Sequence, residues 1–266
     1  RRDLYQEWLR YGVLIFRDTP VDNAQHIALS EVFGELEMHP LPEIRNAEQP
    51  LLMELGGKKP SKAFVFDGTN LRVDRVAWHR DTAYTVDICK GALARVVERP
   101  AEEGLTQFCD TAMAYDALSD EMKARIEHLE FKATLVLDQM KMKLGTTWSS
   151  IRPATEDECP GGTDHNVPLE ALARYPSVVH PMVATHPESG RKCIFFSPTY
   201  LDEVIGLPRA ESDALLKELV DHALSPEFCY THVWRDNDLV LWDNRRMMHA
   251  ASGYDPKYRR KLLRTT

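Results

Sequence analysis

Trp78-His79-Arg80-Asp81-Thr82-Ala83-Tyr84 sets an imidazole and a carboxylate two residues apart among Trp, Thr and Tyr, types that favour a strand. Side chains at i and i+2 of a strand leave the same face, with their backbones roughly 7 Å apart. His79 and Asp81 can therefore close on one metal ion while Arg80 faces away and tolerates substitution. The same letters open the catalytic loop of protein kinases. That reading fails because Val86 stands where the loop needs Asn, and the chain has neither G-x-G-x-x-G nor D-F-G. Nor is there a G-x-S-x-G elbow or a P-loop, so nucleophilic and ATP-driven chemistry lose their usual signposts. A surface His-Asp pair is the bland alternative, and the rest of the sequence has to decide.

Working outward, short strands recur. Residues 12–16 form an apolar run, residues 63–66 and 92–98 read as strands, and the chain enters another through Gly104-Leu105-Thr106-Gln107-Phe108. Residues 178–184 and 193–196 flank a Pro187-Glu188-Ser189-Gly190 turn, and residues 239–242, 244–251 and 260–266 close the chain as strands. Helices are fewer. One is capped by Asp22 and stopped by Gly34, two cover residues 110–129 with Ser119 as a cap, and the clearest spans 211–224 with Leu215, Leu216, Leu219, Val220 and Ala223 on one face. The pattern predicts a mainly β (α+β) fold, a β-sandwich or jelly roll with helices packed outside. Residues 35–75 are rich in Pro and Gly, and residues 138–168 show no period, which marks both as candidate lids.

Composition sets the limits. A chain of 266 residues, 43% hydrophobic, can bury one sizeable core, and a single domain spanning 1–266 with a lid or insert around 138–168 is expected. A net charge of −8 argues against a nucleic-acid partner, since Lys58-Lys59 and Arg259-Arg260-Lys261 are small clusters. Cys89, Cys109, Cys159, Cys193 and Cys229 form no C-x-x-C pair, which favours thiols in a reducing cytoplasm over a zinc knuckle or a disulfide framework. No apolar run approaches a membrane span, and Arg1-Arg2-Asp3-Leu4-Tyr5 reads as an amphipathic helix cut midway, so a missing start and a cytoplasmic location are expected.

Among the ten histidines, His26, His128 and His222 sit with charged neighbours on helical stretches and are expected to be solvated. His180 and His186, each followed by Pro, read as structural, while His165 and His232 lack a carboxylate at a useful spacing. His249 differs, because it follows an apolar strand within Trp242-Asp243-Asn244-Arg245-Arg246-Met247-Met248-His249. Locally, a core histidine and a metal ligand weigh about equally for it.

The ordered motifs Trp78-His79-x-Asp81, Gly104-x-Thr106-x-Phe108, His180-Pro181 through Arg191-Lys192, Trp242-Asp243-Asn244-Arg245-x-x-x-His249, and Arg260 with Arg264-Thr265-Thr266 resemble the taurine and 2,4-dichlorophenoxyacetate dioxygenase family. The likeness runs from about Gly12 to the last residue. It implies a double-stranded β-helix (jelly roll) core with flanking helices. It also implies an Fe(II)- and 2-oxoglutarate-dependent dioxygenase that releases succinate and CO2. The ligands implied are His79, Asp81 and His249, a 2-His-1-carboxylate set that leaves three iron sites open for 2-oxoglutarate and O2. Arg260 and Thr106 match the residues that hold the far carboxylate of 2-oxoglutarate, and Arg264 matches a position that grips the substrate's acidic group. Interstrand or surface pairing is the plain alternative for these three. The expected substrate is a small carboxylate or sulfonate, with an aryloxyalkanoate and ether cleavage as the first guess, and homo-oligomerisation is left open. Departures are Glu103 before Gly104, where the family has a second Gly, and Arg80 between the ligands. A hydrolase or a silent metal-binding sensor on the same scaffold is the alternative.

Overall fold

Alternate residues of Gly91–Glu98 serve two neighbours, and this parity builds the molecule. Ala92, Ala94 and Val96 join a cluster with Phe108, Val240, Trp242, Met247 and Leu262, whereas Leu93 turns to Trp8, Phe33, Leu239 and Leu241. The first cluster is the filling between two sheets. The second seats the N-terminal helices on the outside.

The computed structural model describes residues 2–39, 45–57, 62–142, 144, 145, 148–162 and 169–266. In chain order, these run α1 (Arg2–Tyr11), β1 (Val13–Phe16), α2 (Asn23–Ser30), β2 (Met53–Gly56), β3 (Ala63–Phe66), β4 (Asn70–Val73), β5 (Val76–His79), β6 (Gly91–Glu98) and β7 (Thr106–Asp110). Next come α3 (Thr111–Asp116), α4 (Asp120–Ile126), β8 (Glu130–Ala133), β9 (Ile151–Pro153), α5 (Leu169–Ala173), β10 (Val178–Pro181), β11 (Val183–Thr185), β12 (Lys192–Ile194) and β13 (Leu201–Val204). The last are α6 (Arg209–Ala223), β14 (Cys229–His232), β15 (Leu239–Asp243), β16 (Met247–Ala251) and β17 (Lys261–Thr265).

A five-stranded antiparallel sheet, in the order β1-β15-β6-β17-β2, packs on a four-stranded antiparallel sheet, β14-β7-β16-β5. Phe108 and Met247 point inward from the smaller sheet, while Cys109, Met248 and Ala250 point outward to a second core with Leu215, Leu216, Leu219 and Val220 of α6. The fold is thus mainly β, a double-stranded β-helix covered by helices, as its patterning predicts. Asp22 caps α2 through a capping box and Ser119 caps α4, so those two helix starts are written locally in the sequence.

Four expectations need correction. Thr82, Ala83 and Tyr84 form a turn, not a strand, and Thr82 takes φ 55. His26 is buried, because α2 packs on β6 and its Nε2 meets the Leu93 carbonyl at 3.0 Å, and half-buried His222 reaches the Ala114 carbonyl at 2.8 Å. Arg80 faces away from the ligand pair as expected, but into the core, where it is fully buried and not a position free to vary. Within 138–168, residues 151–153 are a strand paired with β3, which extends that hairpin to three strands. Residues 143, 146, 147 and 163–168, among them His165 and Pro168, lie outside the described residues, as do Pro42, Lys58, Lys59 and Pro60. Among the described residues, no helix is long and apolar enough to cross a membrane.

Candidate metal centre and adjoining pocket

His79 ends β5 and His249 lies in β16, where the two are direct cross-strand partners. Opposed side chains on adjacent antiparallel strands stand about 5 Å apart at their roots, so pairing alone brings the two rings to 4.1 Å between centroids. Asp81 arrives from the turn after β5, its Oδ1 lying 3.5 Å from His79 Nε2 and its Oδ2 3.5 Å from His249 Nε2. One donor atom from each residue lies within 4.8 Å of the others, and no other three His, Cys, Asp or Glu side chains among the described residues meet that condition.

These groups fit a divalent metal in four respects. His79 Nδ1 faces the Ala77 carbonyl at 2.8 Å, which fixes the tautomer that leaves the Nε2 lone pair free. Burial, and then neighbouring His79, hold His249 well below its ordinary pKa, so its ring is neutral and able to ligate. Burial works against ionising Asp81, but Arg264 and then His249 outweigh it and hold the carboxyl well below its usual range. Asp81 Oδ2 is buried without a hydrogen-bond donor aligned on it, an acceptor site that a cation would complete.

Asn244 anchors the aspartate. Its Oδ1 accepts from the Asp81 amide at 2.9 Å, and its Nδ2 donates to the carbonyls of Asp81 and Cys89, each at 3.0 Å. Arg80 braces the same loop from behind, donating to the Asn244 carbonyl at 2.6 Å and to Thr111 Oγ1 at 3.1 Å, with Phe195 under its guanidinium. These two roles escape the sequence, since nothing in the spacing shows which way either side chain turns.

Thr106 starts β7, and Arg260 directly precedes β17. Arg260 donates to the Gly104 carbonyl at 3.1 Å and to Thr106 Oγ1 at 3.4 Å, and Trp234 Nε1 donates to the same oxygen at 3.0 Å. Two donors on one hydroxyl oxygen engage both lone pairs, so the Thr106 proton is directed elsewhere as a donor. Burial lowers Arg260 to about 10, which leaves it charged at neutral pH, and no described carboxylate comes within ion-pair distance of it. Trp234 is a residue that sequence reasoning missed.

The triad, Thr106, Arg260 and Arg264 all line one cavity of about 470 Å³, together with Tyr84, Leu135, Leu137, Tyr200 and Trp242. Arg264 lies 3.1 Å from Asp81 Oδ2 and stacks over Trp242 at 5.4 Å. Two histidines left outside the triad are structural. His186 pairs with Asp243 at 2.9 Å, and His232 pairs with Asp238 at 3.3 Å, a carboxylate six residues along that sequence spacing overlooked.

The family described as "Taurine catabolism dioxygenase TauD, TfdA family" matches residues 1–266. A (S)-phenoxypropionate/alpha-ketoglutarate-dioxygenase of Sphingobium herbicidovorans is 32% identical over 258 residues, which cover 97% of this chain and 82% of that one. An alpha-ketoglutarate-dependent 2,4-dichlorophenoxyacetate dioxygenase of Cupriavidus pinatubonensis is 31% identical over 265 residues, covering 96% and 84%. The crystal structure of AAD-2 in complex with Mn(II) and N-oxalylglycine superposes with a TM-score of 0.74 at 27% identity, covering 100% of this chain and 85% of that one.

Proposed function

The chain belongs to the TauD/TfdA dioxygenase family, and on that premise we propose how its residues divide the work. The enzyme is a 2-oxoglutarate-dependent dioxygenase acting on a small acidic substrate. In our assignment His79, Asp81 and His249 hold one Fe(II), Thr106 and Arg260 hold the far carboxylate of 2-oxoglutarate, and Arg264 meets the acid group of the substrate. The observation that carries this reading is the meeting of three donor atoms within 4.8 Å with a buried guanidinium, free of any described carboxylate partner, in the same cavity.

When bound, iron supplies the oxidising chemistry that consumes O2 and 2-oxoglutarate, releases succinate and CO2, and leaves one oxygen atom on the substrate. The chain supplies orientation. Neutral His249 and ionised Asp81 present ligand electron pairs without waiting for proton loss, and His79 turns its Nε2 toward the same point. Arg260 offers a fixed, charged donor to a carboxylate, and Thr106 offers a directed hydroxyl beside it. Leu135, Leu137 and Tyr200 give the cavity apolar walls that keep water from the reacting carbon. For an aryloxyalkanoate, hydroxylation next to the ether oxygen gives a hemiacetal that splits into a phenol and an oxo acid. The relatives named for phenoxypropionate and 2,4-dichlorophenoxyacetate support that substrate class.

The test is anaerobic titration with Fe(II) and 2-oxoglutarate, reading the visible charge-transfer band of the chelate. The band is expected in the wild type, lost in His249→Ala, and displaced to higher 2-oxoglutarate concentration in Arg260→Ala. A wild type that binds iron yet shows no band refutes the assignment.

A further inference from the structure

Arg75 lines the same cavity and takes no part in the roles assigned above. It immediately precedes β5, whose last residue is His79, and the pairing of β5 with β16 shifts register between Val76 and His79. At roughly 3.3 Å per residue the Arg75 backbone is at most about 13 Å from that of His79. Its guanidinium lies 3.5 Å over the ring of Trp148 and 5.3 Å from that of Phe66. Its Nη1 donates to Gln139 Oε1 at 3.3 Å, and Gln139 Nε2 in turn donates to the Arg75 carbonyl at 2.7 Å.

No carboxylate among the described residues forms an ion pair with it, and burial alone lowers its pKa, to about 9. The group stays charged at neutral pH. A cation drawn out of water without a counter-charge is costly, and an aromatic face returns only part of that cost. Aromatic stacking also holds the guanidinium plane fixed, which leaves its edge donors ready for a flat anion. Lys62 adds a second cation to the same lining; of the lining carboxylates besides Asp81, Glu54 is taken by Lys261 at 2.8 Å and Asp74 accepts from the Tyr254 hydroxyl at 2.6 Å.

We propose that Arg75 is a second anion subsite, so that the natural substrate carries two acid groups, one at Arg264 near the metal and one at Arg75. This inference rests on the dioxygenase reading and narrows its substrate class from a mono-acid to a di-acid. An aromatic or alkyl spacer between two carboxylates, or between a carboxylate and a sulfonate, matches a cavity of about 470 Å³ with apolar walls.

The experiment uses protein loaded anaerobically with Fe(II) and saturating 2-oxoglutarate. Calorimetry gives the Kd of phenoxyacetate and of its meta- and para-carboxylate derivatives for wild type, Arg75→Gln, Arg75→Lys and Arg264→Gln. At least one derivative is expected to bind the wild type tenfold or more tightly than phenoxyacetate. Arg75→Gln should erase that advantage while leaving phenoxyacetate unchanged, Arg75→Lys should keep part of it, and Arg264→Gln should weaken all three compounds. The charge-transfer band is read first in the same samples. If the band forms and neither derivative gains, or the gain survives Arg75→Gln, the second subsite is overturned and the dioxygenase reading stands. If the wild type forms no band, both fall.

Discussion

At the scale of single residues, the carboxylate assigned to the metal depends on an amide outside the proposed ligand set. Asn244 bonds to Asp81 on both sides of its backbone, so the position of Oδ1 and Oδ2 is set by a side chain from the loop before β16. Losing such an outer support commonly costs 10–100-fold in metal affinity. Asn244→Ala is therefore expected to weaken Fe(II) or Mn(II) binding by about that factor, measured against a competing chelator, with circular dichroism confirming the fold. Equal affinity in mutant and wild type would show that Asp81 needs no such anchor. The three residues could be singled out in the sequence, because His-x-Asp and a later His after an apolar run are short-range patterns and the family resemblance joins them, but the turn that carries Asp81 was read as strand. Asn244, Arg80 and Trp234 were not, since their partners lie far away along the chain and only folding defines which way they turn.

Among the elements, the edge strand β2 controls where Arg260 sits. Gly56 faces Lys261 in the β2–β17 pairing, has φ +78, and a Cβ there would lie 2.2 Å from the Arg260 carbonyl. Gly190 has a similar φ of +70 but open space around it. Positive φ costs a non-glycine residue about 1–3 kcal/mol, and both Ala variants bear that cost. Only Gly56→Ala must also push the backbone that carries Arg260. It is expected to raise the Kd for 2-oxoglutarate several-fold and to lower Tm more than Gly190→Ala does, by chelate titration and calorimetry. Matching behaviour in the two variants would refute the coupling of β2 to the cosubstrate. Strands such as β6, β15 and β16 could be read from their apolar runs, whereas β9 could not. Ile151-Arg152-Pro153 has no alternation and ends in Pro, and it is a strand only because β3 offers an edge.

Across the whole molecule, acid stability rests on imidazoles buried at separate places. His26 lies under α2 and His232 in β14 beside Asp238, and burial is the first cause that lowers each to about 4. The folded chain keeps both neutral down to that pH, while the unfolded chain takes up their protons near 6.5. Between those values the unfolded state binds more protons, so stability falls as pH drops from 6.5 towards 4, by an amount on the order of 3 kcal/mol for each group. Urea unfolding at pH 7 and pH 4.5 should show that loss, and His26→Gln, which retains a donor for the Leu93 carbonyl, should show a smaller one. A pH dependence identical in His26→Gln and wild type would discard the role of His26. Sequence reading took His26 as solvated and found no carboxylate at a useful spacing for His232, because neither helix propensity nor residue spacing reveals what packs on top.

The cross-strand facing of His79 and His249 has a consequence beyond chemistry. A cation seated between them, and on Asp81, ties a segment near the start of the smaller sheet to one 170 residues later. Such a tie acts as a reversible staple, because anything that binds only the folded chain shifts its equilibrium by RT ln(1 + [L]/Kd). If the triad holds iron as proposed, iron supply is expected to set the resistance of the folded chain to unfolding as well as its turnover. On that assignment, limited proteolysis without metal is expected to cut first where β5 meets β16, and added Fe(II) is expected to slow that cut.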